Sequence, residues 1–274
     1  MLTRLRHIAL RLSLRAPRAP SRGEAARRQA SPGLALLLVV LAAAASTSLD
    51  AQRGRGAATP QTPREAAAID LTGTWTAVIS EDWALRMLTP RKGDYVRMPL
   101  TPAARKIADA WDPALDEAAG EQCKGYGAPA IMRLPGRIRI SWQGDSAMKM
   151  ELEAGSQTRL FHFGSPPAAS EASWQGQSAA EWQYTRVPPR TGEMKVSTTR
   201  LRPGYLRKNG VPYSANTTMT EYYHLMTAPN GDVWITVVTE VKDPENLTDP
   251  FVQSTHFKKL PATATFKPEP CEAR

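Results

Sequence analysis

Apolar and polar residues alternate along most of the chain beyond residue 70, and this alternation predicts β-strands. In residues 137–144, Ile138, Ile140 and Trp142 fall on one face, and arginine or serine falls on the other. Residues 147–155 repeat the pattern with two methionines and a leucine. Nine strands are predicted, at residues 73–80, 137–144, 147–155, 157–164, 178–186, 193–202, 217–227, 232–242 and 250–259. Because most links between them are short, we expect antiparallel pairing.

A helical insert interrupts this pattern between the first two strands. Thr101 can cap a helix that begins at Pro102. Apolar residues then recur on one predicted face, at Ala104, Ile107, Ala108 and Trp111. An Asp-Pro pair at 112–113 ends the helix and opens a second turn near Gly120. We expect the insert, residues 101–120, to cover one end or one face of the sheet.

The N-terminal region predicts export. Eight arginines precede Ser31, and the apolar run GLALLLVVLAAAAS follows at residues 33–46. That run is shorter than the roughly 20 residues of a membrane-spanning helix. We therefore predict a signal peptide at residues 1–51, a flexible Gly-, Ala-, Pro- and Arg-rich tether at 52–68, and one domain at 69–274. The mature protein is expected in the periplasm or secreted, without a membrane span.

The net charge argues against nucleic-acid binding. The whole chain carries +9, but the predicted leader holds eight arginines and two acids. Removing its +6 leaves about +3, which is weak for a protein that binds nucleic acid. The high isoelectric point is thus largely a property of the leader.

The two cysteines, Cys123 and Cys271, both lie in the predicted exported part. In an oxidising compartment two such thiols usually pair. We predict a disulfide that holds the C-terminal tail. Their wide separation gives no support to a CxxC motif or a metal site.

The stretch LTGTW at residues 71–75 resembles the first strand of lipocalin-like barrels. In that family the tryptophan of a G-x-W motif closes one end of the barrel against a basic residue. The resemblance implies a mainly β, single antiparallel barrel of the lipocalin or calycin type, with Trp75 beside the ligand. The alternative is a strand start with a buried tryptophan.

A broader resemblance covers roughly residues 70–260. The order W-x-G-x-S-x-x-x-W at 174–182, TEYY at 220–223 and DPENLTDPF at 243–251 is similar to a group of uncharacterised exported bacterial β-rich proteins. The chain departs from that pattern at Ala180, at residues 183–184 and at Leu247. The resemblance implies the compartment and a β-rich fold, and it implies no chemistry.

The segment SWQGQSAAEWQ at residues 173–183 combines two tryptophans with small and polar residues. Gly176 permits a tight turn, Trp182 falls where it can face inward, and Trp174 falls on the loop side. Together they suit the mouth of a pocket. The alternative is that both fill the core.

Three histidines, His162, His224 and His256, follow the leader, each inside a predicted strand. Their spacing has no H-x-H or H-x-x-x-H pair, so no metal site is predicted. Glu181 and Glu221 alternate away from the aromatic faces and are expected to face solvent. Because nucleophile-elbow, phosphate-loop and dinucleotide motifs are absent from the sequence, we predict no catalytic residue and no cofactor.

A basic group surrounds the long loop at residues 201–215: Arg200, Arg202, Arg207 and Lys208. This group can receive an anionic head group, and the alternative is a solvated loop.

The sequence leaves three hypotheses about function. The first is a lipocalin-like module that binds a small apolar or amphipathic molecule. Its predicted ligand-binding residues are Trp75, Trp142, His162, Trp174, Trp182, Tyr222 and His224. Of these, Trp75, Trp142, Trp182 and Tyr222 are expected to face the barrel interior. The second is an isomerase or hydrolase that uses His162 or His224 in the barrel mouth. The third is a non-catalytic interaction protein of the cell envelope, which gains if side chains fill the barrel.

Overall fold

Nine strands close into a barrel in the computed structural model, which describes residues 61–167, 171–186 and 191–274. The predicted leader and residues 52–60 lie outside the described residues. The strands are β1 (Gly73–Ala77), β2 (Arg137–Gln143), β3 (Ala147–Leu152), β4 (Gln157–Phe163), β5 (Gln177–Tyr184), β6 (Gly192–Thr199), β7 (Gly204–Arg207), β8 (Val211–Tyr213), β9 (Thr218–Thr227), β10 (Val233–Lys242) and β11 (Phe251–Lys259). The barrel order is β1-β11-β10-β9-β6-β5-β4-β3-β2. The predicted mainly β, barrel-like fold and all nine predicted strands are confirmed.

The expectation of antiparallel pairing is wrong for one neighbouring pair. β4 and β5 run parallel, with Phe161 opposite Ser178. An odd number of strands cannot alternate in direction all the way round a closed barrel, so one parallel pair is unavoidable. The link at residues 164–176 is long enough for the crossover that parallel strands require.

β7 and β8 form a separate two-stranded hairpin between β6 and β9. The sequence predicted this region as a loop, because the strands are very short and contain Gly204 and Pro212. A second apolar core joins the hairpin to strand residues such as Met219, Val241 and Phe251. These residues lie where β9 begins, β10 ends and β11 begins. We call this end of the barrel the hairpin end and the opposite one the far end.

The helical insert packs at the hairpin end. The helices are α1 (Trp83–Arg86), α2 (Pro102–Ala110), α3 (Pro113–Ala118) and α4 (Ala128–Ile131), with 3-10 turns at Ile79–Asp82, Gln122–Tyr126 and Ala154–Ser156. As predicted, Thr101 caps α2 by accepting from the Ala104 amide at 3.1 Å. Ala108 is fully buried, but Ile107 is exposed, so the predicted apolar face is wrong at that position. The buried face of α2 consists of Ala104 and Ala108.

Side chains fill the barrel interior. The largest fully buried residues include Trp75, Ile140, Met148, Met150, Phe161, Met194, Tyr223 and Phe257. A charged pair, Arg159 and Glu221, is buried with them.

Two orientations on β9 differ from the predictions. Glu221 faces inward and is fully buried, whereas it was expected to face solvent. Tyr223, and not Tyr222, is the inward-facing tyrosine. The pairing of Glu221 with Val196 and of Tyr223 with Met194 sets this register. Because side chains alternate with period two, this register points Tyr222 outward.

The predicted disulfide between Cys123 and Cys271 is confirmed. It joins the 3-10 turn Gln122–Tyr126 to the C-terminal tail. Among the described residues, no helix is both long and apolar enough to cross a membrane.

Candidate functional site

Three aromatic rings stack at the far end of the barrel. Phe163 stacks on both Trp142 and Trp182, with ring centroids 5.5 Å and 5.0 Å away, and the two tryptophans also contact each other at 6.4 Å. The predicted inward orientation of Trp142 and Trp182 fits this cluster, because all three rings pack against the barrel core. The arrangement presents an aromatic surface at the mouth.

The N-terminal segment at residues 61–68 covers this mouth. The Trp182 indole donates to the Pro63 carbonyl at 2.7 Å, and the Tyr184 hydroxyl donates to the Ala66 carbonyl. The sequence predicts a flexible tether here. Residues 61–68 instead lie against the barrel, because Trp182 and Tyr184 bind their carbonyl groups. A cavity of about 430 Å³ lies along the segment, lined by Arg64, Ala67, Ala68, Ile69, Asp70, Thr72 and Trp142.

Trp75 is fully buried in the barrel. Its indole donates to the Leu71 carbonyl at 3.0 Å, and the Lys259 ammonium lies 5.1 Å from the centre of its ring. Both its polar atom and its ring face are therefore occupied by the chain itself.

Trp174 lies at the opposite end of β5 from Trp182, so the two tryptophans do not share one pocket mouth. The Arg202 guanidinium stacks over the Trp174 ring at 4.5 Å. Gly176 takes a φ of +62°, and a Cβ atom there would approach the Thr199 carbonyl oxygen to 2.5 Å. The glycine is thus required by the turn that leads into β5.

The candidate histidines point away from the barrel interior. His162 is on the outer face of β4, in line with the exposed Leu160. His224 is exposed on β9 and pairs through Nδ1 with Glu193 at 2.8 Å, in a surface depression. Nδ1 of His256 contacts Glu81. Within the ranges that the structure covers, no group of three or more His, Cys, Asp or Glu side chains is placed to hold a metal ion.

A groove lies at the hairpin end of the barrel. It consists of two adjoining cavities of about 420 and 410 Å³ that share Leu85, Arg133, Leu206 and Arg207. We call it the basic groove. Its basic side chains are Arg86, Arg97, Arg133, Arg207, Lys208 and Arg274. Its acidic side chains are Glu81, Asp82, Glu269 and Glu272.

Arg207 is central to the basic groove because it lines both cavities. Its guanidinium makes no hydrogen bond or ion pair with any residue in the described part of the chain, and its Nη1 is buried. Burial lowers the pKa of Arg207, Asp94 offsets part of that effect, and Arg133 lowers it further. An unpaired, partly desolvated cation costs free energy until an anion approaches it.

Two other arginines of the groove, Arg86 and Arg133, are held by hydrogen bonds and ion pairs. Arg86 donates through Nη1 to the Val78 carbonyl at 2.7 Å and pairs with Glu81 at 2.6 Å. Burial lowers its pKa to about 10, and the neighbouring Arg133 contributes to the decrease. Arg133 binds Asp82 and donates to the Ser254 carbonyl at 3.0 Å. The acids Glu81 and Asp82 are thus already engaged. Arg207 remains the partly buried groove arginine without an ion pair among the described residues, whereas Arg274 lines the groove as an exposed side chain.

The disulfide region forms the opposite wall. The Tyr126 hydroxyl accepts from Lys208 Nζ at 3.0 Å and from the Glu272 amide at 3.2 Å. This wall therefore joins the hairpin, the 3-10 turn at Gln122–Tyr126 and the C-terminal tail. The groove depends on segments that are far apart in the sequence.

The sequence identified only part of this groove. Arg207 and Lys208 belonged to the predicted basic group, but Arg200 and Arg202 do not line the groove. The contribution of Arg133 was missed, since it lies in a turn without any motif.

The fold and the site define a class: a closed nine-stranded β-barrel with a basic, partly apolar groove at one end. Comparisons with protein-family models, with curated proteins and with solved structures find no match to this chain.

Proposed function

We propose that this protein binds a small amphipathic anion in the basic groove. The observation that carries the proposal is Arg207, whose guanidinium has no partner among the described residues although it is partly buried. An anionic head group there would form charge-assisted hydrogen bonds with a cation that is already partly desolvated.

The rest of the groove favours a ligand with an apolar part. Leu85 and Leu206 line it beside Arg207, and Met87 and Leu88 continue the apolar wall of one cavity. Each cavity has a volume in the range of small-molecule sites, roughly 300–1,000 Å³. A carboxylate or phosphate on a medium-length hydrocarbon chain fits this combination of charge and apolar surface.

The position of the ligand differs from the one expected for a lipocalin-like module. Side chains fill the barrel interior, and residues 61–68 cover the aromatic mouth. The proposal therefore keeps the small amphipathic ligand and moves its site to the hairpin end. His162 and His224 face outward, and no observation favours the enzymatic alternative.

We further propose that the protein works outside the cytoplasm. The disulfide between Cys123 and Cys271 supports this compartment, because structural disulfides persist in oxidising environments. The predicted leader supports it independently.

Calorimetric titration with dodecanoate, dodecyl phosphate and neutral dodecanol tests the proposed ligand class. We expect both anions to bind and Arg207→Gln to weaken them by roughly tenfold or more, since hydrogen bonds to charged groups contribute about 1.5–3 kcal/mol. Arg200→Gln is the matched control, because Arg200 is exposed and lies outside the groove. Equal losses in both variants, or dodecanol binding as tightly as the anions, would contradict the proposal.

A further inference from the structure

We infer that the exposed apolar edge of the basic groove docks on an anionic lipid bilayer. It consists of Trp83, Met87, Leu88, Val96 and Val252, and we call it the apolar rim. This inference goes beyond the proposed function, and its choice of a lipid surface rests in part on the amphipathic ligand proposed for the groove.

The apolar rim concentrates exposed apolar side chains on one part of the molecule. Its five residues are between 52% and 60% exposed, and they are half of the large apolar side chains found exposed in the described ranges. Scattered exposed apolar residues are normal on a protein surface, whereas a cluster indicates an interaction site.

The segments that carry these side chains lie around the same two adjoining cavities. Trp83 and Met87 are four residues apart on one helical turn, with the Met87 amide donating to the Trp83 carbonyl at 2.9 Å, so they share a face. Met87 and Leu88 line one cavity of the basic groove, and Val252 lines the other. Val96 immediately precedes Arg97, which lines that second cavity with Val252.

Residues 91–95, which precede Val96, are anchored to the rest of the domain. Asn209 donates from Nδ2 to the carbonyls of Arg91 and Asp94 at 3.1 and 2.9 Å. Tyr95 is buried and donates its hydroxyl to Asp109 at 2.8 Å. The segment therefore buries selected side chains while it leaves Val96 exposed.

The charges around the rim complement an anionic surface. Arg91, Lys92 and Arg97 are all exposed there. The exposed acids nearby are Asp94 and Asp249, and Asp82 is bound by Arg133 and lies 3.9 Å from Arg97. Tryptophan and long apolar side chains flanked by lysine and arginine are typical of segments that enter the interface of a bilayer.

The rim also adjoins a groove suited to amphipathic molecules, which partition into bilayers. A protein docked through the rim would place the groove next to such a reservoir. This continuity favours a lipid surface over a protein partner.

Vesicle flotation of the full chain tests the inference, with phosphatidylcholine alone and with added phosphatidylglycerol. We expect preferential binding to the anionic vesicles. Met87→Ser/Leu88→Ser should weaken this binding by about tenfold or more, because serine removes apolar surface that would be buried in the bilayer. Leu115→Ser/Met226→Ser is the control, since Leu115 and Met226 are exposed to a similar extent elsewhere. All variants keep the same N-terminal arginines, so the differences report the rim.

A second readout separates insertion from adsorption. Brominated lipids should quench tryptophan emission, and Trp83→Phe should remove part of that quenching. Arg91→Gln/Lys92→Gln should reduce the preference for anionic vesicles.

The inference is overturned if the protein binds neither kind of vesicle, or if the rim and control variants lose vesicle binding equally. It is also overturned if only Arg91→Gln/Lys92→Gln reduces vesicle binding. It is also overturned if the rim variants change self-association and leave vesicle binding intact. Arg207→Gln should leave vesicle binding unchanged, so failure of the rim and failure of the groove are distinguishable.

Discussion

At the scale of single residues, Arg159 and Glu221 form a charged pair inside the mainly apolar core of the barrel. Both side chains are fully buried, and they form two hydrogen bonds of 2.9 and 2.5 Å. Burial alone would lower the pKa of Arg159, but the Glu221 carboxylate raises it above the ordinary value. Tyr223 donates to Glu221 at 3.2 Å, and burial, followed by that carboxylate, raises the pKa of this phenol. Arg159 is thus held in its charged form.

Breaking this pair should be costly, because the remaining charge would lose its partner in the barrel core. We expect Glu221→Gln to lower the free energy of unfolding by about 3–5 kcal/mol, measured by urea denaturation. The double change Arg159→Met/Glu221→Leu should cost less than the single one. The exposed cross-strand pair of Arg139 and Glu151 provides the control, and Glu151→Gln should cost about 0–1 kcal/mol. Similar losses at Glu221 and Glu151 would contradict this account.

Among the connecting elements, the turn after β10 joins the barrel to the β7–β8 hairpin. The Asp243 carboxylate accepts from the Ser214 amide at 2.6 Å, the Ser214 hydroxyl at 2.8 Å and Asn246 Nδ2 at 2.9 Å. Burial alone would raise the pKa of Asp243, but hydrogen bonds from Asn246 and Ser214 lower it below its ordinary value. The hairpin is therefore attached to the barrel through an ionised carboxylate.

Asp243→Asn should lower the free energy of unfolding by about 2 kcal/mol at neutral pH, because charge-assisted hydrogen bonds are lost. Since the folded-state pKa is the lower one, this contribution is complete above the unfolded value of about 3.9. It is lost as pH falls through the folded pKa. Chemical denaturation from neutral to acid pH should show the two proteins converging only below about pH 4. Asp249 is exposed, and Asp249→Asn should change the free energy of unfolding little. A difference in stability between the parent and Asp243→Asn that persists in acid would contradict an ionised Asp243.

At the scale of the whole molecule, the disulfide and the tail complete the basic groove. Besides the bridge, the tail is held by Glu153, whose Oε1 accepts from the Lys267 amide at 2.7 Å and whose carbonyl accepts from the Glu269 amide at 2.8 Å. The closed loop spans 148 positions, and the chain-entropy model gives such loops up to about 4–5 kcal/mol. The barrel restrains the reduced chain too, so the real contribution is smaller.

Replacing both cysteines with serine should reduce the free energy of unfolding by about 2–4 kcal/mol. It should also weaken anion binding, because the tail that brings Arg274 to the groove would lose its covalent link beside Tyr126. Urea denaturation and calorimetric titration of the variant measure the two effects. Thiol titration of denatured, unreduced parent protein checks the bridge itself, and two reactive thiols would exclude it.

The sequence by itself determined the strands, the cap of α2 and the cysteine pair. Each depends on a local signal or on a simple choice: period-two alternation for strands such as 137–143, Thr101 before Pro102 for the helix, and two cysteines in one predicted compartment. These signals need no knowledge of distant residues, which explains why they were sufficient.

Only the tertiary structure decided the inward face of β9, the parallel pairing of β4 with β5, and the site. Alternation shows which residues share a face, but both faces of β9 carry aromatic residues, so pairing with β6 had to select Glu221 and Tyr223 as inward. The basic groove draws on residues 85–90, 125–135 and 206–208 together with the tail. No local pattern links these segments, because what brings them together is closure of the barrel and the packing of its hairpin end.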